Sequence, residues 1–343
     1  MTTPGTAIAP TDNPCCVPAE QDLIQPISAG VPGWSENINF CCPTGEDGLG
    51  IYAHMSRMHD DPAIWESVMA IYLPDGQLLV DRSFGRSRAA NESSSGQLTF
   101  TVDEPLHRWS MRFDGMARRI TRAEAAAGTV TDGSVELAQV QLSWESASPV
   151  WSLAHAMGDQ PWGKLHLEQA VRVTGQVRTR DRVIGVDHVA VRDHTAGQRD
   201  YGPLDGEAWL TFCLPGGRSV ALLAMWHSGN VSALQTGFYY DGQTFHQIDD
   251  LDIPPLTSAA GDPTDFEFSF TGPHGPIHGR AVLDHSMVFT LDEPIGMPLG
   301  CDLRHGLVVV EGPARYQVDG ESAHGWIERC RRTTHLQTAQ PRP

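Results

Sequence analysis

Leu98-Thr-Phe-Thr-Val102, then His107-Arg-Trp-Ser-Met-Arg-Phe113 with the turn dipeptide Asp114-Gly115 behind it, is the stretch that decides the fold class. Short runs of β-branched and aromatic residues, broken by Asp-Gly or Pro-Gly signals, mark antiparallel strands. The pattern spreads in both directions. Upstream stands Ser67-Val-Met-Ala-Ile-Tyr-Leu73, followed by Pro74-Asp-Gly76. Downstream come Leu165 to Val173, Val183 to Val191, Val220 to Trp226, Phe266 to Phe270 and Leu307 to Val310. Turns at Pro215-Gly216-Gly217, Asp241-Gly242 and Asp319-Gly320 separate them. Only Thr121 to Ala127 reads as a helix, with Thr121 as its N-cap.

Gln139-Val-Gln-Leu-Ser143 alternates cleanly, so one face of its strand is solvated and the other buried. Many antiparallel strands of this kind must close into barrels or pack as sandwiches to remove their edges. The reading is therefore all-β: two packed antiparallel β-barrels with little helix. Residues 1–30, rich in Pro, Thr, Ala and Gly, are expected to form a disordered leader. The N-terminal barrel is expected over 31–163, the C-terminal barrel over 164–335 and a tail over 336–343, with the junction around Asp159-Gln-Pro-Trp-Gly163.

A chain of 343 residues allows two ordinary domains, and 40% hydrophobic residues can bury a core for each. The formal charge of -18 repels phosphate, which excludes nucleic acid and anionic membrane surfaces as partners. Lys164 is the single lysine, so Schiff-base chemistry and a lysine-dependent phosphate loop have one candidate between them. Seven cysteines include the adjacent pairs Cys15-Cys16 and Cys41-Cys42, neither with C-x-x-C spacing. The N-terminus has no secretory pattern, and the longest apolar stretches fall far short of a membrane span. These features predict a cytoplasmic protein with reduced thiols and no transmembrane segment. G-x-S-x-G, G-x-x-x-x-G-K-[ST] and a strand-to-helix G-x-G-x-x-G are all missing, so nucleotide cofactors and serine hydrolase chemistry lose most of their support.

The densest chemistry is Gly185-Val-Asp-His-Val-Ala-Val-Arg-Asp-His-Thr-Ala-Gly-Gln-Arg-Asp-Tyr201. On a strand, Asp187 and Asp193 share a face with Val189 and Val191, and His188, Arg192 and His194 share the opposite one. An unpaired buried charge is costly, so these groups belong either to a structural network with Arg192 and Arg199 or to a ligand pocket at the strand end. Asp193 and His194 are the candidates for function. His166 and Glu168 share a face of Trp162-Gly-Lys-Leu-His-Leu-Glu-Gln169, as an acid/base pair or as an exposed polar face. His54 points into the first barrel, either as a functional group or as a satisfied core histidine. His274-x-x-x-His278 has helical metal spacing, but Pro273, Gly275 and Pro276 forbid the helix, and no other local spacing calls for a metal.

Several of these residues resemble a family. Trp34-Ser-Glu-Asn-Ile-Asn-Phe40 resembles its W-x-E-x-x-x-F opening, and His166-Leu-Glu-Gln169 with Val173-Thr-Gly-Gln-Val177 resembles its H-x-E-Q…G-x-V strand. Val191-Arg-Asp-His-Thr-Ala-Gly-Gln-Arg-Asp200 is similar to the signature R-D-H-S-W-G-x-R-D, and Gly325-Trp-Ile-Glu-Arg329 to the closing G-x-x-E strand. The family comprises the double-lipocalin proteins related to hydroxyneurosporene synthase (carotenoid 1,2-hydratase), kievitone hydratase and lipocalin-like Diels–Alderases. Ala196 and Gln198 stand where the signature has its tryptophan and variable position. If that tryptophan lines the pocket, this chain has a different substrate or an enlarged site.

The resemblance implies two calyx-like lipocalin barrels, a pocket for a hydrophobic molecule and no cofactor. It does not fix the reaction. Acid catalysis on an alkene or tertiary alcohol of an isoprenoid- or steroid-like substrate, by hydration, dehydration or isomerisation, is the chemistry it favours here. A carboxylic acid in a dry pocket keeps its proton, because burial disfavours the anion. Asp193 is cast as that acid, and His194 or His54 as the group that orients it or delivers water. Trp226, Tyr239 and Tyr240 would stabilise the cation, while His166, Glu168 and Arg192 complete the binding set, Arg192 in a structural role. A non-catalytic carrier of a hydrophobic small molecule and a pericyclase or cyclase are the alternatives. The seam between the barrels is the favoured place for the pocket.

Overall fold

The computed structural model describes residues 17–44, 49–127, 133–153, 163–227, 231–291, 296–300 and 306–336. The first sheet contains β1 (Trp34–Pro43), β2 (Gly50–Arg57), β3 (Trp65–Tyr72), β4 (Gln77–Gly85), β5 (Glu92–Ser94), β6 (Leu98–Glu104), β7 (Arg108–Thr121), β8 (Val135–Ser146), β9 (Trp151–Ser152), β10 (Leu165–Arg178) and β11 (Val183–Gln198). The second contains β12 (Leu204–Leu214), β13 (Arg218–His227), β14 (Val231–Tyr240), β15 (Phe245–Ile248), β16 (Leu251–Asp252), β17 (Asp265–Gly272), β18 (Gly275–Leu283), β19 (Met287–Leu291), β20 (Leu307–Val318) and β21 (Glu321–Arg332). The protein is all-β, as its periodicity predicts.

Hydrogen bonding in the first sheet runs β4-β3-β2-β1-β11-β10-β8-β7, and a β4–β7 pairing closes the path into a barrel. The second sheet runs β15-β14-β13-β12-β21-β20-β18-β17-β16, with no closing pair among the described residues. Closure of the first barrel depends on Asp114-Gly115, which is not the turn the sequence suggests. These residues lie inside β7, where the strand changes partner from β6 (Leu98↔Phe113) to β4 (Gln77↔Thr121). The Gln97 amide oxygen accepts a hydrogen bond from the Met116 amide at 2.8 Å, and a Cβ at Gly115 would collide with that oxygen. Elsewhere the turn signals hold. Asp319 and Gly320 both take positive φ, 47° and 86°, as a tight hairpin between β20 and β21 requires.

The helix α1 (Arg122–Ala127) follows its capping box: the Glu124 amide donates to Thr121 Oγ1 at 3.2 Å, and the Thr121 amide donates to Glu124 Oε2 at 2.6 Å. His274 and His278 fall around the β17–β18 hairpin, in agreement with the exclusion of a helix there.

The domain boundary differs from the expectation. Strands β10 and β11 pair with β8 and β1 inside the first sheet, so the strands change sheets at residues 199–203 and not at 163. The expected junction at 159–162 lies outside the described residues, as do residues 1–16 with Cys15-Cys16. The leader is also shorter than expected. Asp22, in a 3-10 turn at Ala19–Asp22, is fully buried against Arg192, a charge pairing that composition cannot reveal. At the other end, Leu336, the first residue of the expected tail, is buried in the second barrel's core.

Three large apolar clusters and a small one, Val17, Leu106, Val150 and Leu167, result. One fills the first barrel (Ile38, Phe40, Met69, Phe100, Trp144) and one fills the second sheet's concave side (Leu210, Phe212, Phe268, Tyr316). The third joins the two sheets through Tyr52, Tyr72, Trp209, Phe238, Phe289 and Trp326. Strand β3 is therefore buried at every position, with Trp65, Met69 and Ile71 in the barrel and Val68, Ala70 and Tyr72 in the seam. Continuous apolar character here reflects two buried faces. Among the described residues, no helix is long and apolar enough to cross a membrane.

Candidate active site

Strand register assembles the site. His54, Asn39, Asp193 and Glu168 are consecutive partners across β2, β1, β11 and β10. Residues directly opposite on neighbouring strands share a face, so the four form one row on the seam side of the first barrel. The next row is Ser56, Asn37, Thr195 and His166. Opposite lies a second pair of rows. Leu223, Trp209, Glu328 and Glu311 are partners across β13, β12, β21 and β20, beside Met225, Glu207, Cys330 and Val309.

Between these walls is a cavity of about 100 Å³, lined by His54, His166, Asp193, Arg199, Glu207 and Glu328 and by the rings of Tyr52, Tyr201, Trp209 and Phe289. It opens into a wider cleft of about 320 Å³ through shared residues Asn37, Arg199, Tyr201, Leu291 and Met297. Apolar side chains occupy the first barrel's interior and the second sheet's concave side, and this pocket is not inside either. It is at their seam.

The polar groups divide into fixed and unfixed ones. His166 Nε2 meets Glu168 Oε1 at 3.0 Å, and its Nδ1 meets Thr195 Oγ1 at 2.9 Å. Trp209 Nε1 donates to the same Glu168 oxygen at 3.0 Å. Burial works against a charged His166, but the Glu168 carboxylate outweighs it and raises the imidazole above its usual range. Arg199 donates to the Asn37 side-chain oxygen at 3.0 and 3.1 Å and stacks over Tyr201. Trp326 Nε1 donates to Glu311 Oε2 at 3.0 Å. The Asp193 carboxyl, in contrast, takes part in no hydrogen bond among the described residues. Burial pushes it up to about 6, with Glu168 adding to the rise and His166 and Arg199 opposing it. Glu207, Glu311 and Glu328 are all raised, by burial first and with Asp193 adding to each; Arg199 and His166 oppose the rise of Glu207, and hydrogen bonds from Trp326 and Tyr52 oppose that of Glu311. His54 goes the other way: burial, assisted by Arg199, lowers it to about 3, and its Nδ1 lacks a partner. The cavity thus presents protonated acids and a neutral imidazole at the same pH.

The structure brings Asp193, His54, His166 and Glu168 together, with His54 on the seam side of the first barrel and not inside it. Four other expectations are corrected. His194 is fully buried on the barrel side of β11, with Nε2 2.9 Å from Glu36 Oε1 and Nδ1 3.7 Å from Asp22. One residue of strand separates it from Asp193, so the two side chains point apart. Burial alone would lower His194, but Asp22 and Glu36 raise it to about 9, which makes it a buried cation. Arg192 lies beside it and donates to both Asp22 oxygens at 2.8 and 2.9 Å and to Gln169. It is structural, outside the cavity. Trp226 and Tyr239 pack against the second sheet's core, and Tyr240 packs on Phe245 with ring centroids 4.9 Å apart. None of the three lines the cavity; Tyr52, Tyr201, Trp209 and Phe289 take that position. Ala196 sits on the His194 side, so the exchanged signature tryptophan does not border the cavity.

Sequence reading missed Glu207, Glu311 and Glu328. Their signal is a single acid inside an apolar strand, as in Leu307-Val-Val-Val-Glu311 and Trp326-Ile-Glu328.

The model of a family described as a domain of unknown function, DUF7064, matches residues 18–333. The chain belongs to the DUF7064 family. No curated protein matches its sequence. Among solved structures, an AttH-like protein of Nitrosomonas europaea aligns with a TM-score of 0.64 at 13% identity, over 95% of this chain and 98% of its own. Kievitone hydratase of Nectria haematococca aligns at 0.54 with 11% identity, over 90% and 93%. CghA aligns at 0.54 with 10% identity, over 90% of each chain. At such identities the likeness concerns the fold: this DUF7064 chain has the double-lipocalin architecture that its motifs resemble.

Proposed function

We propose that the protein is a cofactor-independent acid/base enzyme that hydrates, dehydrates or isomerises a hydrophobic small molecule in the seam cavity. The observation that carries this reading is Asp193, a carboxyl with no hydrogen-bond partner among the described residues, raised to about 6 and lining a cavity with aromatic rings. Half of such carboxyls are protonated at about pH 6, well above the ordinary aspartate range, so a proton is available for transfer to carbon in mildly acid solution. In hydration, the Asp193 carboxyl gives its proton to one carbon of a C=C bond and leaves a tertiary cation on the other. Water adds to the cation, and its surplus proton returns to the Asp193 carboxylate. Dehydration is the reverse, and loss of a different proton gives the isomer.

His54 is too weak a base to hold that proton at neutral pH. Its unpartnered Nδ1 instead accepts a hydrogen bond from the attacking water and orients it. Tyr52, Tyr201 and Trp209 offer ring faces to the cation, each contributing about 0.5 to 2 kcal/mol. The kievitone hydratase fold supports a hydration reading by analogy alone.

The test incubates the protein with isoprenoid, steroid and polyketide alkenes and alcohols in isotope-labelled water, with mass spectrometry as readout. Gain of one labelled water, lost in Asp193→Asn, is the expected result. Isomers of unchanged mass that persist in Asp193→Asn identify a cyclase, and ligand bound without change identifies a carrier. Either result overturns the acid role of Asp193.

A further inference from the structure

The two walls of the cavity are unequal. Three carboxyl groups line it, Asp193, Glu207 and Glu328, with Glu168 and Glu311 buried in the walls behind them, against two basic groups, His166 and Arg199. His166 is tied to Glu168, and Arg199 lies on the first sheet's side, where it bonds Asn37. In the cavity lining, the second sheet's wall therefore carries Glu207 and Glu328, with Glu311 behind them, and supplies no cation of its own; the charges that face them are Arg199 and His166, on the first sheet's side. Acids alone would not define a ligand. Two further observations do: the rings of Tyr52, Tyr201, Trp209 and Phe289 line the same space, and one buried polar atom there, His54 Nδ1, lacks a partner. His54 is 9% exposed and Glu311 wholly buried. Carboxylates set among aromatic faces are the recognition chemistry of an organic ammonium ion.

We propose that the ligand of the seam cavity carries a cationic nitrogen, a protonated amine or quaternary ammonium joined to an apolar body, seated against Glu207 and Glu328 with Glu311 behind them. The inference rests on the reading of this cavity as the active site, and it names the substrate class. The nitrogen occupies the second sheet's wall and leaves Asp193, on the first, to exchange protons with the carbon skeleton. Without ligand, the acids of the wall hold protons, as their raised titration shows. A seated cation displaces those protons, so binding releases them and tightens as pH rises. The groups facing the seat from each neighbouring strand are Cys41 on β1, Tyr52 and His54 on β2, His166 and Glu168 on β10, Asp193 on β11 with Arg199 after it, Glu207 on β12, Glu311 on β20, and Glu328 and Cys330 on β21. The imidazole of His54 is neutral throughout that range, so the acids and His166, which Glu168 raises above its usual range, set the dependence.

Calorimetric titration of the full chain compares benzyltrimethylammonium with its uncharged isostere neopentylbenzene and with phenylacetate. The ammonium is expected to bind about tenfold or more tightly than neopentylbenzene. Its affinity should rise between about pH 6 and about pH 8, with proton release seen as different heats in phosphate and Tris buffers. Glu328→Gln and Glu207→Gln, which keep the side-chain shape, should abolish the preference and retain neopentylbenzene binding. Equal binding of the first two probes, preference for phenylacetate, or no ammonium binding overturns the proposal. Turnover of a neutral alkene by Asp193 alongside any of those results leaves the proposed reaction standing and removes the cation seat. Ammonium binding with no turnover of any substrate does the reverse.

Discussion

Arg192 and His194 on one face of β11, and Asp193 on the other, are neighbours in sequence held in opposite electrostatic settings. On the barrel side, Arg192, His194, Asp22 and Glu36 are wholly buried and joined to one another at 2.8 to 3.7 Å. On the seam side, Asp193 and the facing glutamates meet more acid than base and retain protons. The first arrangement stabilises a fold and leaves no group free to react. The second costs stability and leaves a proton available, which is how a catalytic site differs from a structural network.

Substitutions on the two faces should separate these roles. Asp193→Asn is expected to reduce kcat/KM by about 10²- to 10⁴-fold, the range for losing a general acid, with the melting temperature unchanged or higher. A fall in both would place Asp193 in the structural class. Arg192→Met should do the opposite and destabilise by about 3 to 5 kcal/mol in urea unfolding, because it leaves Asp22 buried without its cation. Wild-type stability in that variant would break the comparison.

The pH dependences also differ. His194 is raised to about 9, so its stabilising contribution is complete below its unfolded value of about 6.5 and is lost as pH climbs through about 9. Asp22 is lowered, with burial opposed by Arg192 and His194, so its contribution is present above about 3.9 and is lost in acid. The seam acids bind protons more tightly folded than unfolded, so stability should decline from about pH 4 upward as they ionise. Glu311→Gln is expected to flatten that decline below about pH 8 while the fall through about pH 9 persists. An unaltered profile would show that Glu311 titrates normally. The smallest effect is expected at His54: His54→Gln should slow a hydration reaction by about tenfold, corresponding to one lost water-orienting hydrogen bond. A neutral outcome would return His54 to the packed core.

Alternation made the fold and half of the site legible. Period-two reading placed Asp193 and His194 on opposite faces, and likewise His166 with Glu168 against Leu167. It could not say which face looked into the cavity, because both faces of β11 near its end are buried. Asp22 is 170 residues from Arg192, and Glu311 and Glu328 approach Asp193 only through the packing of two sheets. Such encounters depend on tertiary arrangement and leave no local spacing. The barrel boundary failed for a related reason: the long hairpin of β10 and β11 has the same composition whichever barrel it closes.

The central claim is that Asp193 titrates near 6, so that it still holds a proton in mildly acid solution, while its neighbour His194 is charged. The direct measurement is an NMR titration of protein carrying isotope-labelled aspartate carboxyl groups, with Asp193→Asn to assign the signal. A resonance missing in the variant and titrating near 6 is the predicted result. Titration of that resonance at the ordinary aspartate value of about 4 would contradict the account.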